Sequence, residues 1–395
     1  MKRMESYKVN TPEGTGDKLF GECDRQRSAE AAITKLFRRR GYREVITPSV
    51  EYYDLFVQAR NPIPQEAMLK LVDRSGRILV LRPDCTTPIA RVAATRLDPA
   101  RLPQRLFYDQ VIFRSLDPNH GSSSEIPQCG IELIGASGPR ADAEAVALAI
   151  EAVRAAGVEE FRIELGHTGF FTALAEELGA GEKRVEELRA CIENKSFAVL
   201  ENLLRDSASP AAAALRRLAV LFGGAEILAD ARKLTENAAA LAALDYLEGI
   251  YRELAAAGLE KYLSFDLGLV SGLDYYTGLI FRGYAPGTGG VIAAGGRYDR
   301  LLSDFGKALP ATGFAVYVDA LVACLDGAET VKTDTLVHYE QGCLGDALAL
   351  LAGMEAGRAE LSTHESLEDS LREARAKGYS RLIRVRPGAA EEVLL

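Results

Sequence analysis

Between residues 24 and 40 apolar side chains recur every three to four positions. Ala29, Ile33, Leu36 and Phe37 share one helical face, and Gly41 follows where a glycine commonly ends a helix. The pattern predicts an amphipathic helix packed on another layer. The period then shortens. Runs at 77–81, 105–114 and 128–134 alternate or are rich in β-branched residues, with turn formers such as Asp117-Pro118-Asn119-His120-Gly121 between them. Such spacing predicts an antiparallel sheet built without helical crossovers.

Asp142 is predicted to cap a helix lined by Val146, Ala149, Ile150 and Val153, which Gly157 ends before an alternating strand at 161–165. From about 168 to 260 the composition turns to Ala, Leu, Glu and Arg. Ser209 and Pro210 there form an N-cap and first-turn pair, and Gly223-Gly224 a stop, so this stretch reads as a helical insertion. Strands resume near Phe265, turn over at 285–290, return through 291–294 and lead through Gly295-Gly296 into 297–305. Beyond residue 330, a strand at 335–338, helices at 346–354 and 367–377 and a strand at 381–385 predict a small α/β domain. The expected organisation is an α+β core over 1–325, carrying the insertion at about 168–260, and a C-terminal domain over 330–395. Fixed-period repeats are absent, which excludes solenoids.

Composition narrows the classes. A chain of 395 residues, 48% hydrophobic and 26% charged, has material for two or three folded domains. It holds no run of about 18 apolar residues and no apolar stretch near Met1, so neither a membrane span nor a signal peptide is expected, and the default location is the cytoplasm. Six cysteines without a CxxC pair and four histidines without HxxxH or HExxH spacing point to reduced structural thiols and no metal site. A net charge of -9 argues against gripping nucleic acid, because neutralising phosphates needs clustered Lys and Arg. The densest basic run, Arg38-Arg39-Arg40, closes the first predicted helix, where cations favour the dipole. With neither GxxxxGK[ST] nor GxGxxG present, the common nucleotide folds have no support and no cofactor is expected.

The candidate chemistry lies in four segments. At 128–134 a two-residue period puts Gln128, Gly130 and Glu132 on one face and Cys129, Ile131 and Leu133 on the other. An amide and a carboxylate separated by a gap suit the two ends of a small polar molecule, and the same alternation suits a solvent-facing strand. In Leu81-Arg82-Pro83-Asp84-Cys85-Thr86-Thr87 the acid and hydroxyls serve either to cap the next helix or to bind an amine. Leu269 to Gly278, LVSGLDYYTG, packs Tyr275 and Tyr276 between apolar flanks. Gly295-Gly296-Arg297-Tyr298-Asp299 either lets backbone approach a ligand or turns the chain.

In order and spacing these segments resemble the histidyl-tRNA synthetase family, over about residues 10 to 325. That resemblance implies a class II aminoacyl-tRNA synthetase-like core, an antiparallel sheet flanked by helices. Phe113-Arg114 through Glu132 is similar to the family's second motif running into its histidine-binding strand, and 269–278 to its histidine-specific motif. Gly295 to Asp299 is similar to the glycine-rich strand end beside the imidazole. Gly313-Phe314-Ala315 opens the third motif, and Gly41 to Pro48 resembles the first, which builds the family's dimer interface. The resemblance implies Asp84, Thr86, Arg114, Gln128, Glu132, Tyr275 and Tyr276 as histidine-binding residues, with Asp84 standing where the synthetase has a glutamate, about one methylene further back.

The departures fall on the ATP side. By the same resemblance, Ser271 and Ala320 occupy the positions of two arginines used in activation, Leu116 that of a glutamate, Ser124 that of a further arginine, and Tyr317 that of a glycine near the adenylate pocket. Each lost charge-assisted hydrogen bond removes roughly 1.5–3 kcal/mol, so losing two or three costs several orders of magnitude in rate. A pocket that keeps its amino-acid contacts and sheds its ATP clamp resembles the regulatory subunits of short-form ATP phosphoribosyltransferase. This second resemblance implies a non-catalytic chain, a self-dimer through the core, a hetero-octamer with the catalytic subunit, histidine as effector and no tRNA ligand. A histidine-activating ligase acting on another carrier is the alternative; Ser271 and Ala320 disfavour it.

Overall fold

The computed structural model describes residues 9–58, 63–115, 123–270, 275–325 and 332–395. They fall into two compact units, one of residues 9–18 and 26–325, the other of 19–25 and 332–395.

Two long strands, Gln104–Phe113 and Glu125–Ile134, organise the first unit. They pair antiparallel with Tyr108 opposite Gly130 and Gln110 opposite Gln128. Ala311–Tyr317 then adds antiparallel on the other side, placing Gly313 opposite Glu132 and Tyr317 opposite Gln128. Ala293–Arg297, Leu279–Tyr284, Arg162–His167, Leu263–Asp266 and Phe222–Gly223 follow in that order, and Arg43–Glu44 edges the opposite side, giving nine strands. The centre is antiparallel as expected. Two pairings are parallel, that of Arg43–Glu44 with Gln104–Phe113 and that of Arg162–His167 with Leu263–Asp266.

The helices Gly21–Arg39 and Pro139–Ala155 supply side chains to the core on one face of this sheet, among them Ile33, Phe37, Ala149 and Val153, beside Phe107, Ile131 and Phe314. Phe37 lies 5.8 Å from Phe107 and 5.9 Å from Phe314, ring centroid to centroid. Burying each such ring contributes about 1.5–3 kcal/mol. Gly41, at φ 82°, ends the first helix as its position predicts, with the Tyr42 N–H donating back to the Phe37 carbonyl at 3.1 Å. At that end, Arg38 pairs with Glu44 at 2.6 Å and Arg40 Nε with Glu151 at 3.0 Å, so these two cations of the basic run are held in ion pairs. On the other face lie the helix Thr86–Arg96 and the 3₁₀ turn Leu301–Phe305, packed on Tyr108, Tyr275 and Tyr298. Since Pro127 to Ile134 are all buried, Glu125–Ile134 is no solvent-facing strand.

Three sequence expectations change. The run at 77–81 lies outside the main sheet: Ile78–Leu81 is the middle strand of a separate three-stranded sheet with Val50–Tyr52 and Lys70–Val72. Asp142 is not a cap. Pro139, which has no N–H to leave unsatisfied, starts the helix after Gly138, and this puts Asp142 inside the first turn and facing the core. Gly223, read as a stop, belongs to the edge strand Phe222–Gly223. Ser209 does cap Pro210–Leu218, accepting from the Ala212 N–H at 3.2 Å.

The second unit carries a four-stranded sheet in the order Ala359–Leu361, Thr335–Tyr339, Arg381–Arg386, Ala389–Val393, with helices Leu344–Ala352 and Leu367–Lys377. Val337, Ala347 and Val385 form one small core, Leu336, Ala374 and Leu382 another. Among the described residues no helix is long and apolar enough to cross a membrane.

Candidate functional site

Main-sheet register converges several polar side chains on one cavity of about 100 Å³. The central strand brings Gln128 and Glu132. The turn between Leu81 and the helix Thr86–Arg96 brings Asp84 and Thr86, and Arg114 directly follows the neighbouring strand. Tyr275 and Tyr276 enter just before the strand Leu279–Tyr284. All seven residues singled out from the sequence line this cavity, joined by Tyr108, Tyr298 and Tyr317.

Glu132 is 2% exposed. Thr86 Oγ1 donates to its Oε1 at 2.7 Å, and the Tyr298 hydroxyl donates to its other oxygen. Burial pushes the Glu132 carboxyl well above the usual range, the nearby Asp84 charge adds to this, and the Thr86 bond opposes it. Of the two uses its sequence offered, Asp84 serves the first, at the helix start. Its carboxylate accepts from the Thr87 N–H at 2.7 Å and the Thr87 hydroxyl at 3.1 Å, tying down the helix start, while it lines the cavity. Two acids thus share a small cavity. That is an electrostatic environment which a cationic ligand would relieve. Arg114 also lines it, its Nε donating to the Pro83 carbonyl at 2.9 Å.

The aromatic wall is built by packing. Tyr275 stacks on Tyr298 at 5.3 Å and meets Tyr276 edge-on at 4.8 Å. Behind it, a Cβ at Gly295 would come within 2.5 Å of Phe314 Cβ and 2.8 Å of Phe281 Cζ, so only glycine fits between these strands. A Cβ at Gly313 would strike the Ile131 carbonyl and the Glu132 carboxylate. The gap at Gly130 is filled from the next strand by Tyr108, whose Cζ would lie 2.5 Å from a Cβ there.

Ala320 sits on the short helix Val318–Ala323, packed against the core, and Tyr317 precedes it at the cavity wall. Ser124 meets the N-terminal stretch, its N–H donating to the Gly14 carbonyl at 2.6 Å. Ser271 and Leu116 lie outside the described residues. Tyr298 is not among the residues singled out from the sequence, although its glycine-rich segment is; a tyrosine two positions after a glycine pair, at a strand end, is the available signal. Tyr108 was missed too, and register opposite a glycine would have marked it. No cluster of potential metal ligands occurs among the described residues.

Comparison with known proteins agrees with this architecture. The histidyl-tRNA synthetase family model matches residues 14–321. The ATP phosphoribosyltransferase regulatory subunit of Acetivibrio thermocellus is 43% identical over 351 residues, covering 86% of this chain and 82% of its own length. The regulatory subunit of Clostridium acetobutylicum is 41% identical over 378 residues, 93% of each chain. A crystal structure from Bacillus halodurans, described as an ATP phosphoribosyltransferase regulatory subunit/histidyl-tRNA synthetase, superposes with a TM-score of 0.85 at 31% identity, covering 95% of this chain and 98% of that one. With the synthetase-like sheet carrying this tyrosine-walled acidic pocket, the chain belongs to the histidyl-tRNA synthetase family and, within it, to the ATP phosphoribosyltransferase regulatory subunits.

Proposed function

We infer that this chain works as a non-catalytic regulatory subunit: it binds L-histidine in the cavity around Glu132 and controls a short-form ATP phosphoribosyltransferase catalytic subunit, which performs the first step of histidine biosynthesis. The observation that carries the reading is the presence of Asp84 and Glu132 together in one tyrosine-walled pocket. Histidine offers an ammonium and imidazole N–H groups to these acids, and Arg114 is a candidate partner for its carboxylate. Gln128 and Glu132 would grip the two ends of the ligand.

Catalysis is not part of this reading. Adenylate formation needs cations around a phosphoryl-bearing transition state, and Ser271, Ala320 and Ser124 offer none at their positions. The regulatory-subunit names of the relatives support a catalytic partner. A dimer through the synthetase-like core and a hetero-octamer with that partner are the assembly we propose, in the cytoplasm and without tRNA. Histidine then shifts the complex toward an inhibited arrangement to the extent that it binds the two arrangements unequally.

Calorimetric titration with histidine, with and without ATP, tests the pocket. Binding that is lost in Glu132→Ala and Gln128→Ala supports it, and unchanged affinity in both variants places the effector elsewhere. Histidine-dependent exchange between ATP and pyrophosphate by the purified chain would overturn the non-catalytic reading.

A further inference from the structure

Outside the cavity lining, Arg297 and Asp142 form a buried ion pair, with side chains 6% and 0% exposed. The guanidinium is bidentate, Nε donating to Asp142 Oδ2 at 3.0 Å and Nη2 to Oδ1 at 2.7 Å. Tyr246 donates to the same Oδ2 at 2.7 Å. The remaining guanidinium nitrogen, Nη1, reaches Asp299 Oδ1 at 2.9 Å and the Ala136 carbonyl at 3.2 Å. The bonds from Arg297 to Asp142 and Ala136 fix the strand end at Arg297 against the helix Pro139–Ala155 and the turn before it.

From there the network runs to the aromatic wall. Thr277, next to Tyr276, donates its N–H to the Arg297 carbonyl at 2.7 Å, and its hydroxyl accepts the Asp299 N–H at 3.0 Å. Asp299 Oδ1 also accepts the Ala311 N–H at 3.0 Å, and the Tyr298 N–H donates to the Ala311 carbonyl at 2.8 Å. Arg297, Asp299 and Thr277 therefore clasp the backbones that carry Tyr275, Tyr276 and Tyr298. A buried ion pair is a poor source of stability, because desolvating two charges cancels much of their attraction. Registering one segment against another is the use this geometry fits.

We propose that Arg297, anchored by Asp142, is a positioning residue of the amino-acid pocket: through Asp299 and Thr277 it holds the three-tyrosine wall and the Tyr298–Glu132 hydrogen bond in place, and so sets the affinity for the cationic amino acid. The proposal rests on the functional reading above for its ligand and on the hydrogen-bond network for its mechanism.

Thr277→Val keeps the side-chain shape and the backbone bonds and removes the hydroxyl that accepts the Asp299 N–H at 3.0 Å and donates to the Arg297 carbonyl at 3.4 Å. We expect an unchanged unfolding midpoint, histidine affinity lowered by about three- to tenfold, and faster amide hydrogen exchange confined to residues 275–277 and 297–299. In a Tyr298→Phe background, which lacks the hydrogen bond to Glu132 but keeps the ring, the affinity cost of Thr277→Val should shrink, which a merely structural role would not produce. Arg297→Lys, which keeps the charge and loses the fork, should give a larger loss in the same direction. Full affinity and unchanged exchange in Thr277→Val would overturn the proposal, as would a cost that persists undiminished beside Tyr298→Phe. If the wild-type chain binds no histidine, the functional reading fails by itself. Exchange then decides the clasp alone: local loss of protection upholds it, and unchanged or uniformly lost protection ends it.

Discussion

Thr86 donates its hydroxyl to Glu132 at 2.7 Å, joining the first turn of one helix to the central strand of the main sheet. This contact orients a carboxyl that is otherwise poorly matched to its surroundings. Burial in the company of Asp84 disfavours its charged form, and a bound cation removes that penalty.

Replacing the carboxyl by an amide of the same shape separates affinity from folding. Glu132→Gln should cost about 2–5 kcal/mol of histidine affinity, since the ligand's cation loses its buried partner. Ligand-free stability should hold or rise, because a disfavoured buried acid is gone. Calorimetry and urea unfolding of the two chains check both halves.

The same residue predicts a pH dependence. The Glu132 carboxyl titrates higher in the folded chain than in the unfolded one, so as pH rises past the ordinary value of about 4.3 the unfolded state releases this proton first. The folded state then holds more protons, and stability falls with rising pH. Relative to Glu132→Gln, the ligand-free wild-type chain should lose stability as pH rises from the ordinary carboxylate range toward neutrality, in urea titrations at stepped pH.

His167 gives the opposite sign. Burial depresses its imidazole to about 4, and its Nδ1 accepts the Gly169 N–H at 3.1 Å, capping the helix Thr168–Glu177. Between about 6.5 and that value the unfolded chain takes up a proton that the folded chain refuses, so stability falls as pH falls. His167→Asn keeps a capping acceptor and cannot titrate. Its stability curve should be flatter on the acid side than that of wild type.

Asp142→Ala should destabilise the chain by about 3–5 kcal/mol, because it leaves the Arg297 guanidinium buried beside a lost partner. Denaturant unfolding reads this directly. A cost under 1 kcal/mol would mean that water or a neighbouring acid replaces the pair.

How much of this was legible in the sequence depends on how local the cause is. The helix Leu367–Lys377 was bounded correctly because its cap, Ser366, and its stop, Gly378, adjoin it in sequence. The alternation of Gln128 and Glu132 was equally plain. Which face is covered was not, because Thr86–Arg96 and Tyr298 reach that face from distant parts of the chain. Asp142 was misread for the same reason: an acid near a helix start is usually a cap, and only the fold brings Arg297 to it. The strands Ala359–Leu361 and Ala389–Val393 went unseen, one too short to show a period and the other mostly charged and small. Of the site, the full set of seven cavity-lining residues comes from family resemblance, whereas the clasp behind them emerges only from hydrogen bonds across the sheet.

The most direct test of the account is the rate of a short-form ATP phosphoribosyltransferase catalytic subunit, measured with this chain added and histidine titrated in, for wild type and Glu132→Gln. The account predicts that both chains stimulate the partner, that histidine suppresses the wild-type complex, and that the variant complex needs at least about thirtyfold more histidine, the lower bound of the affinity loss above. A partner rate unaffected by the chain, or equal histidine sensitivity in the two complexes, would contradict it.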